Sequence, residues 1–216
     1  AQEIGFEDQV RLGEYFGPIH THVGAKTGSV STDDPRVRKL HVDGTSLRIS
    51  GSFWHSDQSC AARPPLGSIL YLHTVPPDGG GDTLFASMYA AYSALPRSLK
   101  NQIGGRMGGF TYGGRRKATA LLNMEDRAWT PVWHPIIRTH PETGRKGLYF
   151  DPGKIVAIEG LPEDESDALI NELTAYMIQP DAEYHHKWRK GDVVIWDNRC
   201  TYHRAAADYP PEEDRI

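Results

Sequence analysis

Cysteine is nearly absent: Cys60 and Cys200 are the two in 216 residues. Two thiols far apart, without zinc-type spacing, cannot make a disulfide scaffold, and reduced thiols in a cytoplasmic protein are the expectation. Long apolar runs are missing too; none approaches the roughly 18 residues of a bilayer-spanning helix. No charged and apolar leader opens the chain. Neither sign of charge dominates, since 24 Lys+Arg stand against 28 Asp+Glu and the formal net charge is −4. Without a basic block, neither a nucleic-acid nor a membrane partner is expected. No repeat and no linker divides the chain, so one domain spanning 1–216 is expected, and composition leaves a homo-oligomer open.

Turn formers are plentiful. The 22 glycines and 15 prolines are spread along the chain and punctuate many short segments. Residues 6–16 read as a helix running into Gly17-Pro18. Residues 38–42 and 46–49 read as short strands around Asp43-Gly44, and 67–75 as a strand closed by Pro76-Pro77. Residues 87–95 read as a helix with Ser87 as N-cap. Residues 104–127 are irregular and rich in glycine, a candidate mobile lid loop without phosphate-binding spacing. Strands are expected at 132–140 and 145–150. The best helix is 162–179, with acidic residues in its first turn and an apolar stripe of Leu169, Ile170, Leu173 and Met177. Residues 183–188 and 193–197 read as a hairpin, and 201–205 as another strand. Many short strands without βαβ alternation predict a mainly β fold with covering helices, a sandwich or jelly roll.

The chemistry begins at Trp54-His55-Ser56-Asp57. Alternation along an extended chain puts His55 and Asp57 on one side, where an imidazole and a carboxylate can share a metal. If His203 folds back beside them, two histidines and one carboxylate leave open positions on an octahedral metal. That is the ligand set of non-haem Fe(II) oxygenases; a zinc hydrolase could also use it, although zinc prefers a tetrahedral site with one open position.

Four segments then occur in order: WHSD, PPDGGGDTLFASMYAAYSAL, HPIIRTHPETGRKGLYF and WRKGDVVIWDNRCTYHRAAADY. Together they resemble the family of taurine dioxygenase and the phenoxyacetate-herbicide dioxygenases, Fe(II)- and 2-oxoglutarate-dependent oxygenases. The resemblance implies a double-stranded β-helix, a cupin-like jelly roll, with His55, Asp57 and His203 as iron ligands. It implies that Thr83 and Arg215 hold the carboxylates of 2-oxoglutarate, Arg215 with a guanidinium fork suited to the distal one. The stretch before Arg215 is about one residue longer than is common in the family. His22 matches a substrate-contacting histidine, but Ala25 and Gly51 depart from the taurine pattern, so taurine is not the expected substrate. Measured against the family, the sequence starts late and stops before the closing strand. It is therefore expected to lack an N-terminal portion and its last strand.

The expected activity is hydroxylation of a small, anionic organic molecule with formation of succinate and CO2 from 2-oxoglutarate and O2. Desaturation or epimerisation on the same scaffold, or a non-catalytic cupin-like sensor of a small acid, are the alternatives; halogenation is disfavoured because Asp57 is present. His73, His134, His140, His185 and His186 are expected to be packing or surface residues. Trp54, Trp188 and Trp196 are expected in the core, with Trp54 and Trp196 beside the iron site. Cys200, though near His203, is given no metal role.

Overall fold

A computed structural model describes residues 2–21, 36–40, 51–75, 80–114 and 130–206. The expected strands at 38–42 and 46–49 fall largely outside these residues, as do His22, Arg215 and the later part of 104–127.

The chain begins with helix α1 (Phe6–Glu14). Asp8 accepts the Gly5 N–H at 3.0 Å and pairs with Arg11 at 3.0 Å, which satisfies a donor at the helix start. Strands β1 (Gly67–Tyr71) and β2 (Thr83–Ser87) follow. Ser87 ends β2 and caps α2 (Met88–Ala94), its hydroxyl accepting the Ala90 N–H at 3.2 Å. After Pro96 comes α3 (Arg97–Ile103), then β3 (Met107–Phe110). Residues 107–110 are therefore strand, with Gly108, Gly109 and Phe110 buried, and the first part of the expected loop at 104–127 belongs to a sheet.

The expected strand at 132–140 is two strands, β4 (Val132–Pro135) and β5 (Ile137–Thr139). Ile136 divides them: it is fully buried, its N–H goes to the Arg106 carbonyl, and its own carbonyl accepts the Tyr149 N–H. β6 (Lys146–Leu148) and β7 (Ile155–Ile158) precede α4 (Glu163–Ala175). Pro162 caps α4, and Leu169, Ile170 and Leu173 are buried as the stripe requires. The helix ends earlier than Pro180, because Tyr176 and Met177 donate back three residues rather than four. A 3₁₀ turn (Pro180–Ala182) leads to β8 (Glu183–His186), β9 (Val193–Asp197) and β10 (Thr201–Ala205).

Antiparallel pairing gives the orders β1-β9, β10-β2-β8, β4-β3-β7 and β5-β6. β8 and β9 are thus not a hairpin. The turn between them is real, with the Arg189 N–H on the Asp192 carboxylate at 2.8 Å, but it carries the chain from one sheet to another. Period-two alternation identifies strands without naming their partners.

Register gives the β10-β2-β8 sheet two different faces. Direct partners share a face, so Thr83, Phe85, His203, Tyr184 and His186 lie on one side. Ala86 and Tyr202 lie on the other, inside a core that includes Met88, Leu148, Tyr149, Ile170 and Leu173. The Tyr202 hydroxyl donates to the Leu148 carbonyl within this core. Among the described residues the architecture is mainly β with some helices, and its core face fixes where the opposite face must point.

Candidate metal centre

His55 and His203 are joined by backbone: His55 N–H donates to the His203 carbonyl at 3.0 Å, and His203 N–H returns the bond at 2.9 Å. This bridge brings residues 148 positions apart into register, with ring centroids 4.2 Å apart. Asp57 completes the group, one oxygen 3.7 Å from His55 Nε2 and the other 3.6 Å from His203 Nε2. One ligating atom from each of the three lies within 4.8 Å of the others, so a single ion can be shared.

The ring orientations suit a metal. His55 Nδ1 lies 2.8 Å from the Phe53 carbonyl, which only accepts, so Nδ1 carries a hydrogen and Nε2 is the nitrogen turned toward Asp57. Burial lowers the His203 pKa to about 4, against the raising influence of Asp57, and the ring is neutral near pH 7. Its Nδ1 is buried without a hydrogen-bond partner among the described residues. Two imidazoles and a carboxylate are the donor set that a divalent first-row metal with open positions takes.

Gly51, where the taurine pattern is not followed, has φ +77°, and a Cβ there would sit 3.3 Å from His55 Cε1. Its carbonyl accepts the Ala205 N–H, so a left-handed turn presses against the imidazole. Thr83 is buried at the start of β2, on the face that carries His203. Its hydroxyl accepts the Trp188 indole N–H at 2.9 Å, which leaves its own hydrogen to donate elsewhere. Trp196 stands 4.8 Å from the His203 ring, whereas Trp54 lies beneath the Arg204 guanidinium.

Several participating residues escaped the sequence reading. Ser68 donates to the second Asp57 oxygen, and Asn198 donates to Ser68 at 2.9 Å. Ser56 donates to the Asn198 carbonyl at 2.9 Å. Asp151 is buried, accepts Ser59 Oγ at 2.7 Å and the Gly153 N–H at 3.0 Å, and so ties down the turn after Asp57. Burial raises its pKa. No local pattern marks these residues, because their bonds cross long stretches of chain.

His140 is a correction. Expected to lack an acidic partner, it lies 3.0 Å from the Asp197 carboxylate, and with Cys200 it makes a second compact group. That group is not built for a cation. His140 Nδ1 accepts two backbone N–H groups, from Glu142 and Thr143, so Nε2 holds the hydrogen and donates to Asp197. Arg199 grips the same carboxylate, at 2.6 Å through Nη2 and 2.9 Å through Nε, and reaches Glu142 at 2.9 Å. Burial pushes the Asp197 pKa up, but the Arg199 and His140 hydrogen bonds outweigh it and hold the pKa at about 2. The remaining histidines match the packing and surface expectation: His134 donates through Nε2 to the Ala61 carbonyl, His185 sits against Glu183, and His73 is exposed.

The family of the chain follows from comparison. The model of the taurine catabolism dioxygenase TauD, TfdA family matches residues 1–216, and the chain belongs to that family. It is 39% identical over 219 residues to the alpha-ketoglutarate-dependent 2,4-dichlorophenoxyacetate dioxygenase of Cupriavidus pinatubonensis, covering 94% of this chain and 76% of that one. It is 31% identical to the (S)-phenoxypropionate/alpha-ketoglutarate-dioxygenase of Sphingobium herbicidovorans, covering 94% and 74%. Among solved structures, AAD-2 in complex with Mn(II) and N-oxalylglycine superposes with a TM-score of 0.78 at 29% identity, over 100% of this chain and 76% of that one. Across curated relatives the chain spans from 56% to 76% of their length.

Proposed function

We propose that this chain forms the core of an Fe(II)- and 2-oxoglutarate-dependent dioxygenase that hydroxylates a small, anionic organic substrate. The observation that carries the reading is the convergence of His55, Asp57 and His203, with Nε2 of both imidazoles turned toward the carboxylate, in a chain of this family. His55, Asp57 and His203 would hold the iron, which supplies the redox chemistry coupling O2 and 2-oxoglutarate to oxidation of the substrate. Overall, 2-oxoglutarate, O2 and a C–H bond give succinate, CO2 and an alcohol. The finer architecture we infer is the double-stranded β-helix. It is supported by the two-faced β10-β2-β8 sheet and by solved structures described as taurine and 2,4-D dioxygenases, with TM-scores of 0.76 and 0.77.

The protein's part is positioning and exclusion of water. Thr83 is assigned to a carboxylate of 2-oxoglutarate, a role supported by its buried hydroxyl with a hydrogen left to give. Arg215 is assigned to the distal carboxylate and His22 to the substrate, both on the family pattern alone. Relatives named for phenoxyalkanoate acids support a small anion as substrate. Composition supports a cytoplasmic enzyme with neither a nucleic-acid nor a membrane partner; among the described residues no helix is long and apolar enough to cross a membrane.

The test is succinate formation with Fe(II), 2-oxoglutarate and O2 across aryloxyalkanoates, sulfonates, sulfate esters and amino-acid derivatives. Substrate-dependent succinate and a hydroxylated product are expected. A folded, metal-binding chain that never consumes 2-oxoglutarate would instead be a sensor. Arg215→Ala should weaken 2-oxoglutarate binding by about 2–5 kcal/mol, and Thr83→Val by about 1–3 kcal/mol, both measured by titration of the Mn(II)-loaded chain.

A further inference from the structure

We infer that Trp196, Asn198 and Ser68 form a one-way hydrogen-bond relay that fixes the orientation of the Asp57 carboxylate and thereby sets metal affinity. The inference rests on the metal-site reading above and adds positioning residues to it. Trp196 Nε1 donates to Asn198 Oδ1 at 2.9 Å, Asn198 Nδ2 donates to Ser68 Oγ at 2.9 Å, and Ser68 Oγ donates to Asp57 Oδ2.

The direction follows from donor and acceptor chemistry. An indole N–H can only donate, so the Asn198 amide must turn its oxygen to Trp196 and its NH2 to Ser68. Ser68 then accepts from Asn198 and has one hydrogen left, which it gives to the carboxylate, an acceptor only when ionised. A donor-only group at one end and an acceptor-only group at the other leave no alternative pattern. The Asn198 backbone is held as well, its carbonyl accepting the hydroxyl of Ser56, the residue between the two ligands of the HxD turn. Trp196 is also packed 4.8 Å from the His203 ring, so the side chain that starts the relay to Asp57 also contacts a second member of the site. A hydroxyl held by the relay restricts the orientation of the carboxylate, and outer partners of this kind are typically worth about 10–100-fold in metal affinity.

The test is Mn(II) affinity, read from the EPR signal of free Mn(II), for the wild-type chain and five variants, each with the melting temperature of its metal-free form. Ser68→Ala removes the last donor and should weaken Mn(II) binding about 10–100-fold. Asn198→Asp presents an acceptor to Ser68, draws its hydrogen away from Asp57, and should do the same. Trp196→Phe keeps the ring and loses the N–H, for a smaller loss, while Ser68→Thr keeps the hydroxyl and should restore binding. Wild-type Mn(II) affinity in folded Ser68→Ala overturns the relay, whatever happens to its melting temperature. If Asn198→Asp does not fold, Ser68→Ala and Trp196→Phe decide. Asp57→Ala is the control: if it binds Mn(II) normally, the metal-site reading fails, whereas normal binding by Ser68→Ala beside a dead Asp57→Ala removes only the relay.

Discussion

Among the described residues, two clusters bring a histidine and an aspartate together with a third metal-binding side chain, and they differ in chemistry. Both meet the same geometric test, with one candidate ligand atom per residue within 4.8 Å of the others. At His55, Asp57 and His203 both imidazoles turn Nε2 toward the carboxylate, at 3.7 and 3.6 Å, and a hydroxyl steadies it. At His140, Asp197 and Cys200 the histidine donates its hydrogen and an arginine already neutralises the carboxylate. Strand β9 serves both through simple alternation: Trp196 points to one cluster and Asp197, its neighbour, to the other. Ligand identity and spacing therefore do not define a metal site. What decides here is that Asp197 is already committed, to a hydrogen from His140 and to the Arg199 guanidinium.

The change with the largest effect should be Asp57→Ala. With two imidazoles left and no anion, succinate formation should fall to background while circular dichroism stays that of the folded chain. At the other cluster Arg199→Ala should leave metal binding intact and cost stability instead. A partly buried carboxylate would lose its main partner, a loss of about 2 kcal/mol after allowance for its exposure to solvent. Chemical denaturation measures it; a loss of Mn(II) affinity without a loss of stability would erase the distinction between the clusters.

A smaller, pH-dependent effect sharpens the same contrast. The Asp197 pKa is depressed in the folded state, to about 2 from an ordinary 3.8. Its contribution is therefore present above about pH 4 and is lost as the pH falls through about 2. Asp197→Asn should flatten this part of the acid limb in a stability-versus-pH series, and an unchanged slope would contradict the ion-pair assignment. Cys200→Ser should do least, under about 1 kcal/mol in stability with metal binding untouched.

Much of the site was legible because it is locally encoded or carried by a motif. His55, Asp57 and His203 were read from the WHSD and WDNRCTYH segments, although Asp57 lies in a turn just after the single His55 bridge and not on a strand. Ser87 as N-cap and the Leu169, Ile170, Leu173 stripe were equally readable, since capping and periodicity act within a few residues. Strand partners were not, as the separation of β8 from β9 shows: a turn sequence specifies a reversal, not what the strands pair with afterwards. The Asn198–Ser68 bond spans 130 residues and the His140–Asp197 bond spans 57, so neither leaves a spacing signature. Both depend on strands that meet only once the chain has folded.

Counting Mn(II) bound per chain, in the wild type and in Asp57→Ala, tests the central claim most directly. The account predicts one tightly bound ion in the wild type and none in the variant, with the His140, Asp197 and Cys200 group holding nothing in either. An ion that remains in Asp57→Ala and disappears in Cys200→Ser would contradict it, and would place the metal at the cluster that Arg199 was argued to close.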